Sequence, residues 1–259
     1  MKDFNFTRII AALATTLILG IIYKRAIDRE VPKPVSPLRA LVPVALGIVS
    51  MIIGGNIGVR FMAPIPGTQT PVISNIIKGM SPLFGSFTVS FLIAGFPEEL
   101  VKFILILLFG LFFKPKTKNL YEYVLIGAGI GLGFTIAEEF SYANSFVTYV
   151  TRAVFLPAHV VFNMIMAEFM GRAIYNKLNG KKSVVLYWIL ALVVPTFLHT
   201  LFDASTSFNL YFQKQQETNA FIFSAIGSAT LLFAILFVLI RFRKNAAKYS
   251  AMSLLEPKQ

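Results

Sequence analysis

Residues 86–113 read SFTVSFLIAGFPEELVKFILILLFGLFF. The stretch is long enough and apolar enough to cross a bilayer, because a spanning helix needs about 20 mainly apolar residues. Its centre nevertheless carries two adjacent carboxylates and an amine, Glu98, Glu99 and Lys102. An ionisable side chain at membrane depth costs about 2.5–3.5 kcal/mol on insertion scales, so each of the three needs a partner or a function.

The whole chain has the composition of a membrane protein. Of its 259 residues, 56% are hydrophobic and only 14% are charged, and the mean hydropathy is +0.71, whereas charged residues make up about 25% of a typical soluble domain. We therefore predict an all-α fold, a polytopic membrane helical bundle that forms a single integral membrane domain over residues 1–259. About seven transmembrane helices are expected, over residues 9–23, 40–59, 85–113, 121–146, 153–171, 184–205 and 220–240.

The net charge of +12 could suggest nucleic acid binding, but its distribution along the chain argues against it. Most of the 24 Lys and Arg residues follow the first, third, fifth and seventh predicted helices, and the other connections hold few. Because cytoplasmic loops are enriched in Lys and Arg, this alternation predicts an N-terminus outside and a C-terminus in the cytoplasm. The heavier charge follows the first apolar segment, so we expect a helix there rather than a cleavable signal peptide.

Glycines recur at helical spacing in the fourth predicted helix. The sequence GAGIGLG at residues 127–133 places Gly127 four residues before Gly131, and Gly129 four residues before Gly133. This spacing is typical of close packing between membrane helices. It favours helix contacts over a dinucleotide-binding loop, because no strand precedes it.

Four successive predicted helices carry ionisable side chains at membrane depth. The set is Glu98, Glu99 and Lys102, then Glu138 and Glu139, then His159 and Glu168, then His199 and Asp203. With the predicted orientation, the two histidines lie about 10 Å from the outer ends of their helices at 1.5 Å per residue. The glutamates of the third and fourth helices fall at a similar level. We therefore expect one polar cavity in the outer half of the bilayer, wet from outside.

Helical spacing predicts how the acidic pair is neutralised. Glu98 and Lys102 are four residues apart and share a face, so the amine should neutralise Glu98 within its own helix. Glu99 points about 100° away. It is therefore expected to be free to face another helix.

The two histidines each have a polar residue four positions later, Asn163 after His159 and Asp203 after His199. The later residue in each pair can hold the ring in one tautomer and leave the other nitrogen as a lone-pair donor. Metal-binding histidines usually have this arrangement.

These residue types point to hydrolysis. The chain has no cysteine, which excludes thiolate metal sites and a cysteine nucleophile. Two imidazoles and a carboxylate suit zinc or a similar divalent metal, and we predict His159, His199 and Glu138 as ligands. Glu98 or Glu99 would then deprotonate a bound water. In a metal-free alternative, a glutamate activates water and the histidines stabilise the oxyanion that forms when a carbonyl is attacked.

Four motifs occur in a fixed order on successive apolar segments: EExxK at residues 98–102, FxxxE at 134–138, HxxxN at 159–163 and HxxxD at 199–203. They resemble the PrsW family of intramembrane metalloproteases, which belongs with type II CAAX-prenyl proteases and bacterial Abi proteins in one superfamily. The resemblance covers residues 95–205, and we expect these four helices to be the catalytic core. Prenyl-protease relatives often have FxxxH as the second motif, so Glu138 favours the PrsW branch.

The resemblance implies a multi-pass protease of the bacterial cell membrane. It implies a membrane-anchored protein substrate, in this family an anti-sigma factor cut on its extracytoplasmic side, and no nucleic acid partner. It implies that the glutamate pair, Glu98 and Glu99, and the histidines, His159 and His199, are needed for cleavage. As a hypothesis, we add Glu138 to the catalytic set, Lys102 as a counter-ion, and Asn163 and Asp203 to orient the histidines.

Two other functions stay open. An ion-coupled transporter would use the same Glu and His side chains as a relay, but the inverted repeats expected of one are not recognisable in the sequence. A non-catalytic membrane scaffold is the second, since the superfamily also includes the scaffold subunit of gamma-secretase. A scaffold would not need the complete polar set.

Four other polar residues of these helices and their connections are not assigned to catalysis. We expect Glu168 to pair with Arg172, four residues later. Glu139 points away from Glu138, and its role stays open, with a structural carboxylate as one alternative. Tyr142 and Arg152 should lie near the mouth of the cavity, in a role that the sequence leaves open.

Overall fold

All regular secondary structure in the described part of the chain is helical, as predicted. The computed structural model describes residues 6–30, 35–112, 118–143, 145–211 and 217–255. The helices are α1 (Phe6–Ile27), α2 (Pro37–Met62), α3 (Val72–Ile76), α4 (Pro82–Ser90), α5 (Phe96–Phe112), α6 (Leu120–Tyr142), α7 (Phe146–Ala153), α8 (Ala158–Leu178), α9 (Val184–Tyr211), α10 (Glu217–Lys244) and α11 (Ala246–Ser250). A short π-helix, Phe91–Gly95, joins α4 to α5.

Five helices of the described residues are long and apolar enough to cross a membrane: α1, α2, α6, α9 and α10. They coincide with five of the predicted segments. The other two predicted segments fall on α8 and on the succession of α4, the π-helix and α5. The number of seven spans and the orientation of the termini stay predictions.

The π-helix interrupts what the sequence predicts as one continuous apolar helix. Within it, the Phe96 N–H bonds to the Phe91 carbonyl, five residues back. Pro97 follows and has no N–H, so it cannot donate a hydrogen bond to the carbonyl of Ile93, four residues earlier. That carbonyl lies against Gly58 of α2, where a Cβ would come within 1.7 Å of the oxygen. The extra residue of the π-turn sets the rotation of α5, whose first turn carries the acidic pair.

Helix α6 lies at the centre of the bundle, in contact with α1, α2, α5, α8 and α11. A Cβ at Gly131 would lie 2.4 Å from the His159 carbonyl oxygen of α8, and a Cβ at Gly133 would lie 1.8 Å from the Val44 carbonyl oxygen of α2. The predicted close packing at these glycines is confirmed. Because the two glycines contact different helices, this one run of sequence fixes both α2 and α8 against α6.

Glu168 of α8 binds the last part of the chain. It accepts a hydrogen bond from Arg172 at 2.8 Å, as predicted, and another from the Tyr249 hydroxyl at 2.9 Å. Arg241 of α10 contacts its second oxygen. Because several donors bind this one buried carboxylate, Glu168 has a structural role.

Candidate active site

Four helices bring the predicted polar residues to one place. The first two turns of α5 supply the acidic pair and the amine, and the last turns of α6 supply Glu138. The first turn of α8 supplies His159, and the later half of α9 supplies His199 and Asp203. Four side chains of the cluster are almost completely buried: Glu99, Lys102, His159 and His199.

Glu99 makes two short contacts, one within α5 and one to α9. Its Oε1 lies 2.7 Å from Lys102 Nζ and 2.8 Å from His199 Nδ1. Because a carboxylate only accepts, we assign the proton of the His199 ring to Nδ1. Removing one partner of such a buried pair leaves an uncompensated charge, at a cost of about 3–5 kcal/mol.

His159 is contacted at both ring nitrogens. Lys102 Nζ lies 3.4 Å from Nδ1, and Glu138 Oε2 lies 2.8 Å from Nε2. Since an ammonium only donates, Nδ1 accepts and the ring proton is on Nε2, facing the carboxylate. The Lys102 ammonium also lies 3.4 Å from the centroid of the Phe134 ring, a cation–π contact that further stabilises the charge in this apolar setting.

Glu98 is the more accessible member of the acidic pair. Its side chain is 14% exposed, whereas that of Glu99 is completely buried. Glu98 Oε2 lies 3.7 Å from His199 Nε2, and Asp203 Oδ2 lies 3.5 Å from the same nitrogen. Two carboxylates therefore face the ring edge of His199 that Glu99 does not contact.

Two details of the predicted pairing need correction. Glu99 faces another helix, as predicted, through His199 of α9, but Lys102 also binds it and lies closer to it than to Glu98, whose Oε2 is 3.8 Å from Nζ. Asn163 does not contact the His159 ring, since its Nδ2 donates to the His159 backbone carbonyl at 2.8 Å. A short polar side chain on a helix readily bonds the carbonyl four residues back, and both ring nitrogens already have neighbours.

Arg152 of α7 is a site residue to which the sequence assigned no role. Its Nη2 lies 3.0 Å from Glu138 Oε1, and its Nε donates to Glu139 Oε1 at 2.9 Å. The guanidinium also lies 5.3 Å from the centroid of the Tyr142 ring. Arg152 therefore joins α7 to the end of α6 and neutralises both carboxylates there. The sequence did contain a signal for this role, because Arg152 is the one basic residue between α6 and α8.

Glu99, His159 and His199 form a possible metal site. Each offers one ligand atom, and these atoms all lie within 4.8 Å of one another. The predicted carboxylate ligand, Glu138, is outside this group, although its Oε2 lies 2.8 Å from His159 Nε2, and its role as a ligand stays a prediction. Glu99 Oε2 is buried without a hydrogen-bond partner among the described residues. One carboxylate and two imidazoles fit zinc or a similar divalent ion, although the Lys102 ammonium contacts two of the three ligand residues.

Comparison with known proteins identifies the family of the chain. A family model described as PrsW family intramembrane metalloprotease matches residues 42–240. The chain belongs to this family. Protease PrsW of Bacillus subtilis (strain 168) is 33% identical over 150 residues, which cover 57% of this chain and 65% of that protein. Protease PrsW of Halalkalibacterium halodurans is 30% identical over 118 residues, which cover 44% of this chain and 53% of that protein.

The matched regions span between half and two thirds of the length of these two PrsW relatives. No solved structure matches the chain. The PrsW family match includes all four helices that carry the polar cluster. Together with the five apolar helices, it identifies a multi-pass protein of the bacterial cell membrane.

Proposed function

We propose that this chain is an intramembrane protease that hydrolyses a peptide bond in a membrane-anchored protein. One observation carries the proposal: Glu99 joins Lys102 to His199 in a buried cluster, with Glu98 partly accessible beside it. Ionisable groups in an apolar bundle lower its stability unless they are paired. A cluster of them in a PrsW-family chain is therefore best explained by chemistry.

In this proposal Glu98 is the general base. It is the accessible carboxylate of the pair and is the one that a water molecule can reach, whereas Glu99 is held by two partners. Glu98 accepts the proton of the attacking water, and Lys102 offsets the negative charge of both carboxylates.

The histidines are proposed to act on the substrate carbonyl. His199 is held by Glu99 at Nδ1, and Asp203 and Glu98 lie beside its Nε2. In this proposal Nε2 carries a second proton, which it donates to the oxyanion or to the leaving amine and regains from Glu98 after Glu98 has taken the proton of the water. His159 and Glu138 complete the catalytic set, with Asn163 fixing the backbone at the start of α8. A divalent ion held by the carboxylate and the two imidazoles of the site would supply Lewis acidity to the same carbonyl.

We also propose the topology and substrate that the sequence predicts. Seven spans with an outer N-terminus place the catalytic core, residues 95–205, with its polar cluster in the outer half of the bilayer. A substrate cut near the outer surface fits this depth. The family resemblance makes a membrane-anchored anti-sigma factor the substrate to test.

The test is cleavage in proteoliposomes. The chain is reconstituted with a membrane-anchored anti-sigma factor encoded by the same genome, and products are followed by gel and mass spectrometry. We expect the E98Q/E99Q double variant to lose at least about 100-fold in rate. D28N, at an exposed carboxylate paired with Lys24 on the surface, is the matched control. Cleavage by the double variant at the unmodified rate would refute the catalytic assignment, and stable binding of the substrate without cleavage would favour a scaffold.

A further inference from the structure

An apolar groove runs between α4, the π-helix and α9. Its walls are aromatic and aliphatic, with Phe91 and Phe96 on one side and Val193 and Phe197 on the other, and its volume is about 530 Å³. Ligand pockets typically have volumes of about 300–1,000 Å³, so the groove has room for several side chains of a bound peptide. Phe91 is 40% exposed and Phe197 is 57% exposed, so the groove opens on the lateral, lipid-facing surface of the bundle.

At one end the groove is lined by residues close in sequence to the catalytic cluster, on both walls. Phe96 comes two residues before Glu98, and Thr200 directly follows His199. The walls touch at this end, because a Cβ at Gly95 would lie 2.3 Å from the Thr200 hydroxyl oxygen. The groove therefore extends from the lateral surface of the bundle to the residues that flank Glu98 and His199 on their helices.

Thr196, in the groove wall, has a hydroxyl that lacks a partner among the described residues and is itself buried, so a ligand in the groove would contact it after the side chain rotates. Thr196 is 5% exposed, and its hydroxyl has no hydrogen-bond partner within the part of the chain that the structure describes. A buried hydroxyl without a partner costs about 1–3 kcal/mol. A ligand with a free peptide group would satisfy it, and a lipid acyl chain would not.

We propose that this groove binds the apolar membrane segment of the protein substrate beside the bond to be cut. Peptide hydrolysis requires an unwound backbone, and unwound backbone in lipid has unsatisfied carbonyl and N–H groups. The Thr196 hydroxyl bonds one of these groups, while the aromatic walls bury the neighbouring apolar side chains. This inference rests on the proposed function, since it assigns the substrate-binding part of the same site.

Filling the groove tests the inference. V193W places a large ring in the groove, and V185W places the same ring on the same helix outside it; Val193 is 55% exposed and Val185 is 68% exposed. With the anti-sigma factor as the probe, we expect V193W to slow cleavage about tenfold or more, as expected for loss of apolar pocket contacts. V185W should cleave at the rate of the unmodified chain. T196V, which removes the hydroxyl at nearly constant volume, should slow cleavage severalfold.

Cross-linking supplies a readout that does not depend on the rate. The chain has no cysteine, so V193C in an E98Q background can be paired with single cysteines along the membrane segment of the probe. We expect disulfide formation from position 193 and none from V185C. Normal cleavage by V193W, or equal cross-linking from both positions, would overturn the groove assignment alone. Failure of the unmodified chain to cut the probe would overturn the proposed function and, with it, this inference.

Discussion

Lys102 is the side chain that would compete with a metal ion for the site. Its ammonium contacts Glu99 and His159, two of the three potential metal ligands. In K102M the buried Glu99 charge loses one of its two partners among the described residues and keeps only His199. Such a loss costs about 3–5 kcal/mol unless another cation replaces the ammonium. We therefore expect elemental analysis to find more bound zinc or similar metal in K102M than in the unmodified protein.

The matched variant for this experiment is H159A/H199A, which removes both imidazoles. It should abolish bound metal in the K102M background as well as in the unmodified chain. An equal metal content in K102M and the unmodified chain would contradict the competition between the ammonium and the ion.

Glu30, between α1 and α2, gives a pH dependence that is separate from the site. Burial, followed by the nearby Glu122 carboxylate, raises the pKa of Glu30 from 4.5 to about 7. The unfolded chain ionises first, so this residue makes stability fall as pH rises from about 4.5 to 7, with no further change above. E30Q should raise the melting temperature at pH 8 by several degrees and change it little at pH 4.5. Equal shifts at both pH values, in detergent-solubilised protein, would show that Glu30 does not titrate in this range.

At single residues, the sequence identified which side chains meet and only partly how they pair. Spacing placed both glutamates within reach of Lys102, at three and four residues. The closer contact with Glu99 depends on His199, which comes from another helix. No spacing rule within α5 contains that information, so the pairing could not be predicted from the sequence.

At the scale of helices, the fit of α6 against α8 controls the position of His159. A Cβ at Gly131 would lie 2.4 Å from the His159 carbonyl oxygen, so G131A must move the start of α8. A shift of about 1 Å in a catalytic group can lower a rate about 100-fold, and we expect at least a tenfold loss of cleavage. G55A, in α2, is the control because its Cβ meets no atom within 4 Å. Equal rates for the two variants would show that α8 adapts without moving the ring.

Hydropathy predicted the helices well, because their apolar length is a property of the sequence alone. The break in the third segment was missed. Pro97 can be seen in the sequence, but the π-turn also depends on Gly58 of α2, more than thirty residues earlier in the chain. The Ile93 carbonyl packs against Gly58, where a Cβ would leave no room for it. A local pattern cannot report such a contact.

For the whole molecule, the distribution of charge predicts which loops face outward. Because the chain has no cysteine, single cysteines can report this directly. T68C, in the connection after α2, should react with a membrane-impermeant maleimide in intact cells. N179C, after α8, should react only after permeabilisation. The opposite pattern would invert the proposed orientation and place the cluster in the inner half of the bilayer.

During biosynthesis, α5 is made long before the histidine that contacts it. Glu99 and His199 are 100 residues apart, and a ribosome adds about 5–20 residues per second, so the acidic pair waits on the order of 5–20 s for α9. Lys102, three residues away, is the counter-ion already present. We infer that the start of α5 stays near water, or with the insertion machinery, until α9 is synthesised, which makes completion of this cluster a late step of membrane insertion.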